Sequence, residues 1–176
     1  MQKMKIIIIG AGGHGKVVAD AILKENKYEL VGFADDNKSI GEAIYLNHQV
    51  ICKPNESEIS KFATGFILAI GNNKIRAEKF DLLKSKFTPV TTVHPFSSLA
   101  IDVILGEGTV VLAGVTINSG TNIGNNCIIN SHSLIDHDCV IGNHVHVGQS
   151  VTLGSGNRVE AFSHFEQGKI INSAFY

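Results

Sequence analysis

Every sixth residue from Val93 to Ile171 is aliphatic or phenylalanine, fourteen in succession without a gap: Val93, Leu99, Leu105, Val111, Ile117, Ile123, Ile129, Ile135, Ile141, Val147, Leu153, Val159, Phe165 and Ile171. With 44% of the chain hydrophobic, an unbroken run of this length lies far outside chance, and the period is not that of a helix. A hexad repeat builds short strands joined by tight turns, three hexads to a coil, so that residues 18 apart stack at the strand spacing of about 4.8 Å. The sixth-place side chains then fill a three-sided prism of between four and five coils. Four places further on a small residue recurs, as in Thr109, Val115, Thr121, Cys127, Ser133, Cys139, Val145 and Val151, which suits a second inward position near a corner. Gly106, Gly124, Gly142, Gly148 and Gly154 directly follow the aliphatic residue, where the turn is expected to need a conformation easiest for glycine.

The first half follows a different grammar. Met4 to Ile9 is a nearly continuous apolar run, as in a strand buried on both faces, and it ends in Gly10-Ala11-Gly12-Gly13-His14-Gly15. A helix fits 16–24, a second strand 28–34 closing on Asp35-Asp36-Asn37, a third 66–70, and a polar helix about 74–85 after Gly71-Asn72-Asn73. Strands alternating with helices predict a parallel sheet with helices on its faces, and hence an α/β Rossmann-like domain over 1–90 ahead of a hexad-repeat domain over 91–176. Gly10, Gly12 and Gly15 satisfy the GxGxxG spacing, with Asp35 about twenty residues on. An α/β portion that stops near residue 90 has room for one mononucleotide-binding half, whereas a dinucleotide fold uses two; a nucleoside diphosphate suits it better than NAD. Turn chemistry after a strand is the competing reading of Asp35 and Asp36.

Composition removes several classes of function. Fifteen Lys plus Arg against sixteen Asp plus Glu leave no basic excess, which argues against nucleic acid as a partner. The run Ile6 to Ile9 is too short to span a bilayer and leads into a glycine turn rather than a signal-peptide pattern, so a cytoplasmic protein with no membrane partner is expected. Cys52, Cys127 and Cys139 form no CxxC pair and read as buried packing, with no metal site assigned. Six of the eight histidines, His94, His132, His137, His144, His146 and His164, fall in the second half. A polar ladder on a repeat surface explains some of them, since His146 and His164 are 18 apart; a metal cluster is a further alternative.

With both halves in view, the chain resembles the sugar acyltransferase family of the bacillosamine and perosamine N-acetyltransferases and the sialic acid O-acetyltransferases. The resemblance rests on the glycine motif of residues 10–15, Phe33-Ala34-Asp35-Asp36, Ala69-Ile70-Gly71-Asn72-Asn73-Lys74-Ile75-Arg76, and Ile135-Asp136-His137-Asp138-Cys139-Val140-Ile141-Gly142, in that order. It implies a left-handed parallel β-helix, acetyl-CoA as co-substrate, a nucleotide-sugar substrate and a homotrimer with active sites between neighbouring helices. By the same resemblance Gly12, Gly13, His14, Gly15, Asp35, Asp36 and Gly71 belong to the sugar-nucleotide site, with the aspartates near the base and His14 near the sugar. His137 corresponds to the catalytic histidine, Asp138 to its acidic partner, where many relatives carry glutamate, and Asn130 to an active-site asparagine. His146 corresponds to a histidine near the thioester, and Ser155 to a coenzyme-binding position. Acyl transfer needs a base for the nucleophile's proton, and a neutral imidazole with a carboxylate on its other nitrogen supplies one. Either Asp136 or Asp138 could be that carboxylate. The leading expectation is N-acetylation of a nucleotide-linked amino sugar. O-acetylation of a sugar such as sialic acid is the second; an idle sugar-nucleotide-binding protein is the third, because relatives carry further hexads after the position where Tyr176 stands.

Overall fold

The computed structural model describes residues 2–174 and divides between Val90 and Thr91 into two compact units. In the first, strand β1 (Lys5–Ile9) is the centre of a six-stranded sheet, and its four isoleucines are buried. After it come helix α1 (Gly13–Glu25), β2 (Glu29–Ala34), β3 (Ala43–Tyr45), β4 (His48–Cys52), α2 (Glu56–Ile59), β5 (Gly65–Leu68), α3 (Asn73–Leu83) and β6 (Thr88–Pro89). The sheet order is β3-β4-β2-β1-β5-β6, parallel throughout except for the β3–β4 hairpin at one edge. The expected parallel sheet is there; the hairpin and α2 are additions that the polar stretch after Asp36 does not announce.

Helix α1 starts three residues before the expected position, inside the glycine motif. The reason is close packing. Gly10 sits at φ +104°, where a Cβ would meet the Ala69 carbonyl oxygen at 2.8 Å, and a Cβ on Gly15 would strike the Gly10 carbonyl. Gly15 therefore lets the first turn of α1 lie on the end of β1, and Gly10 lets that end pass close to the chain after β5. At the start of α3, Asn72 caps the helix, its Oδ1 accepting from the Lys74 and Ile75 amides. Arg76 reads as a solvated charge in sequence, yet it is fully buried: its guanidinium donates to the Ile70 carbonyl at 2.9 Å, the Gly71 carbonyl at 3.2 Å and Asn73 Oδ1 at 2.8 Å.

The second unit is the hexad prism. Fourteen two-residue strands run from Thr92–Val93 to Ile170–Ile171 and form three parallel sheets of five, five and four strands. The register is 18 residues, as in Val110 beside Ile128 beside His146. The sixth-place side chains form one core with Val115, Cys127, Cys139, Val145 and Val151, buried in the middle coils and partly exposed at the ends. Each isoleucine so buried contributes about 1.5–3 kcal/mol.

Two details differ from the expectation. Gly106, Gly124, Gly142, Gly148 and Gly154 are not in left-handed conformations; the left-handed residues lie two places later, at positions such as Gly120, Asn126, His132, Asp138, His144 and Gly156. What demands glycine after the aliphatic residue is the next coil: a Cβ at Gly142 would meet the Ala161 amide nitrogen at 2.6 Å, and one at Gly148 the Phe165 carbonyl oxygen at 2.6 Å. The small inward residues also do more than fill space. Thr109, Thr121 and Ser133 hydroxyls donate to the carbonyls of Gly124, Asp136 and Gly148 at 2.8–2.9 Å, and the Cys127 and Cys139 thiols donate to Gly142 and Gly154 at 3.2–3.3 Å, each 15 residues on. Thr121 Oγ1 also accepts from the Cys139 amide at 3.2 Å. Thr121→Val keeps the shape and removes both bonds inside the prism, so a loss of about 2 kcal/mol is expected in urea denaturation.

Candidate functional site

His137 stands at a corner of the prism, two places after the inward Ile135 and just before the left-handed turn residue Asp138, at φ 59°. Its backbone is held on both sides. The Asp138 amide donates to the Ser119 carbonyl on the coil beneath at 3.0 Å, and the His137 carbonyl accepts from the Gly156 amide on the coil above at 2.9 Å. The imidazole is half exposed, with 51% of its side-chain surface accessible, and Nδ1 lies 2.7 Å from Asp138 Oδ2. A carboxylate at that distance fixes the proton on Nδ1 and leaves Nε2 as the basic nitrogen.

The flanking residues alone left Asp136 and Asp138 open, with the resemblance pointing to Asp138; the two carboxylates have different partners. Asp136 Oδ1 accepts from the His137 backbone amide at 2.8 Å and from Asn118 Nδ2, one coil beneath, at 2.8 Å. Those bonds hold the Asp136 carboxyl below the usual carboxylate range. The His137 pKa is raised, chiefly by the hydrogen bond to Asp138; desolvation, the next largest effect, opposes it, and the charges of Asp136 and Asp138 add to the rise.

The other prism candidates are placed as follows. Asn130 is 8% exposed at the preceding corner, where its Oδ1 accepts from the Ser131 amide at 2.9 Å. His146 stacks on His164 with ring centroids 4.7 Å apart and planes 7° from parallel. His144 lies in a ladder between Asn126, whose Nδ2 is 2.9 Å from His144 Nδ1, and Phe162, whose ring is 5.0 Å away. Ser155 is buried: its hydroxyl donates to Ser173 Oγ at 2.9 Å and its carbonyl accepts from the Ala174 amide at 2.8 Å. Its side chain bonds the next coil.

In the first unit, a cleft of about 250 Å³ opens at the carboxyl ends of β1 and β2, with Ile9, Ala34, Pro54, Ile70 and Ile75 as apolar lining and Asp36, Asn37 and Lys79 as polar lining. Gly10 and Asp35 also line it, whereas Gly12, Gly13, His14, Gly15 and Gly71 do not. The Asp35 carboxylate is engaged within the chain: Oδ1 accepts from the Asn37 amide at 2.8 Å as a turn residue, and Oδ2 from the Ala11 amide at 2.7 Å, tying the glycine loop to the cleft wall. Asp36 is exposed, with Lys79 Nζ 3.5 Å from its Oδ2. Gly12 and Gly13 have open space where a Cβ would lie, and Gly12 caps α1 without a side-chain bond. The first turn of α1 carries no acidic residue, so its amides and dipole favour an anion. Sequence reasoning missed Lys53, whose Nζ donates to the carbonyls of Asp35, Asp36 and Lys38 at 2.9–3.2 Å and shapes that wall. It also missed Asn118, although an 18-residue spacing from Asp136 was there to read.

The PglD N-terminal domain family matches residues 5–83, and the bacterial transferase hexapeptide family (six repeats) matches residues 120–155. Among curated proteins, UDP-N-acetylbacillosamine N-acetyltransferase of Bacillus subtilis (strain 168) is 31% identical over 115 residues, 61% of this chain and 51% of that protein; the chain thus spans about half the length of the curated relative it matches. Among solved structures, the acetyltransferase domain of PglB from Neisseria gonorrhoeae FA1090 in complex with acetyl coenzyme A has a TM-score of 0.76 at 26% identity, over 97% of this chain and 86% of that one. A histidine-to-asparagine mutant of perosamine N-acetyltransferase from Caulobacter crescentus, in complex with CoA and GDP-perosamine, has a TM-score of 0.74 at 27% identity, over 96% and 83%. The prism is accordingly the left-handed parallel β-helix of hexapeptide-repeat proteins. The chain thus joins a PglD N-terminal domain to bacterial transferase hexapeptide repeats, and in both parts it is similar to sugar N-acetyltransferases.

Proposed function

We propose that this chain is an acetyl-CoA-dependent N-acetyltransferase acting on a nucleotide-linked amino sugar, with His137 as general base. The observation that carries the reading is the His137–Asp138 pair, a solvent-accessible imidazole with Nδ1 2.7 Å from a carboxylate on a turn clamped by the coils above and below. Two relatives named as N-acetyltransferases, one of them solved with CoA and GDP-perosamine, and an acetyltransferase domain solved with acetyl-CoA support the same class. His137 Nε2 takes the proton of the attacking amine, and Asp138 stabilises the imidazolium that results. Acetyl-CoA supplies the thioester carbonyl and the thiol leaving group, with His146 assigned to its side of the site. Asn130 is assigned to the acceptor sugar.

In the first unit, the open backbone at Gly12 and Gly13 and the uncapped start of α1 suit the diphosphate, with His14 on the same turn. The cleft beside Asp35 and Asp36 suits the base. Gly15 and Gly71 serve these groups through the fold. A homotrimer is part of the proposal, and sedimentation velocity tests it.

Incubation with acetyl-CoA and a panel of amino and hydroxy sugars, free and nucleotide-linked, tests the function. Thiol release is expected with an amino-sugar nucleotide; release only with hydroxy sugars, or from no acceptor, overturns the reading. The pH profile follows from the raised His137 pKa. Because the neutral imidazole is the working form, kcat/KM should fall on the acid side at a higher pH than an ordinary histidine dictates. Asp138→Asn removes the largest cause of the shift, so the acid limb should move to lower pH while the plateau drops.

A further inference from the structure

The coil beneath the candidate base contains a feature that the acid–base chemistry alone does not require. Gly120 occupies the left-handed position directly below Asp138, at φ +75°, and a Cβ there would overlap Asp138 Oδ1 well inside van der Waals contact. That oxygen belongs to the carboxylate whose other oxygen is bonded to His137 Nδ1. Gly120 is itself held in place: Asp102 Oδ2, a further coil down, accepts from the Gly120 amide at 2.9 Å and from Ser119 Oγ at 2.7 Å, and the Ser119 carbonyl takes the Asp138 amide.

We infer that Gly120 is a positioning residue for the His137–Asp138 pair: the missing side chain is the space in which the Asp138 carboxylate lies when it holds Nδ1. Asparagine, histidine, serine and phenylalanine all occupy the equivalent left-handed position on other coils, at Asn126, His144, Ser150 and Phe162, so the turn alone does not exclude a side chain. An alanine at 120 is accommodated most cheaply by rotating Asp138 about χ1, since the obstructing atom is the end of a side chain and not backbone. That rotation takes Oδ2 away from the imidazole.

The inference deepens the proposed function and rests on it only for the word base; its test is built to separate the two. Gly114 is a matched control at the preceding corner, with φ +72° and a Cβ that would lie 2.5 Å from the His132 Nδ1 ring nitrogen. Gly120→Ala and Gly114→Ala thus impose the same backbone strain and the same kind of side-chain displacement, one beneath Asp138 and one beneath His132. The imidazole of His137 is titrated by NMR in the full chain, its signal assigned through His137→Gln. In the native protein Asp138 and Asp136 raise its pKa. The expected result is a fall toward free histidine in Gly120→Ala and no movement in Gly114→Ala. In an Asp138→Asn background, Gly120→Ala should add little, because the partner charge is already gone. An unmoved His137 titration in Gly120→Ala, or equal shifts in both alanine variants, overturns the inference. The titration needs no substrate, so the shift supports the positioning role even if no acceptor is acetylated by any variant.

Discussion

His137→Ala is expected to lower kcat with the accepted amino-sugar nucleotide by a factor of about 10² or more, equivalent to some 2.7 kcal/mol of transition-state stabilisation. The loss should be confined to chemistry. The imidazole is exposed, and the bonds that hold the corner, from the His137 amide to Asp136 and from the Gly156 amide to the His137 carbonyl, use the backbone and survive the substitution. Circular dichroism and the thermal midpoint should therefore stay near those of the native chain. His144→Ala provides the comparison: it removes a ring from the Asn126–Phe162 ladder and should leave turnover largely intact. Near-native turnover in His137→Ala removes the mechanism.

The second large effect concerns stability. Arg76→Leu should destabilise the N-terminal unit by about 3 kcal/mol, because the carbonyls of Ile70 and Gly71 and the Asn73 side chain lose a charged donor at a fully buried site. Arg76→Lys keeps a charge but cannot span three acceptors with one ammonium, so an intermediate loss is expected. Urea denaturation followed by circular dichroism measures both. A leucine variant as stable as the parent would show that the β5–α3 loop holds its shape without the guanidinium.

The prism was legible because its side-chain pattern and its backbone repeat share one period: each of the fourteen sixth-place residues is in or against the core, and the small fourth-place residues follow. The glycine roles were harder to read. At Gly142 and Gly148 the constraint comes from a coil still to be laid down, about 18 residues later, while the strained turn position is filled by Asn, His or Asp as readily as by glycine. In the first unit, β1 declares itself through four consecutive isoleucines, but β3 and β4 form an edge hairpin whose mixed residues satisfy no strong alternation. The burial of Arg76 was hidden for a related reason: two of its three acceptors are backbone carbonyls, which carry no letter in a sequence. At the candidate site the histidine was recognisable from its flanking aspartates. Which aspartate holds the ring depended on which of them faces Asn118 and which lies over Gly120, and that is a property of stacking.

That stacking makes residue number itself a constraint. Removing or adding a single residue on a flat side anywhere between Gly120 and Ile135 would turn each later aliphatic side chain outward, and would slide Asp138 off the column formed by Asp102, Gly120 and Gly156 and the imidazole off its own column beside it. Length variation in such a chain is confined to loops that leave at a corner and return to the same corner, so the location of the His137 imidazole is inherited from arithmetic upstream of it as much as from its own neighbours.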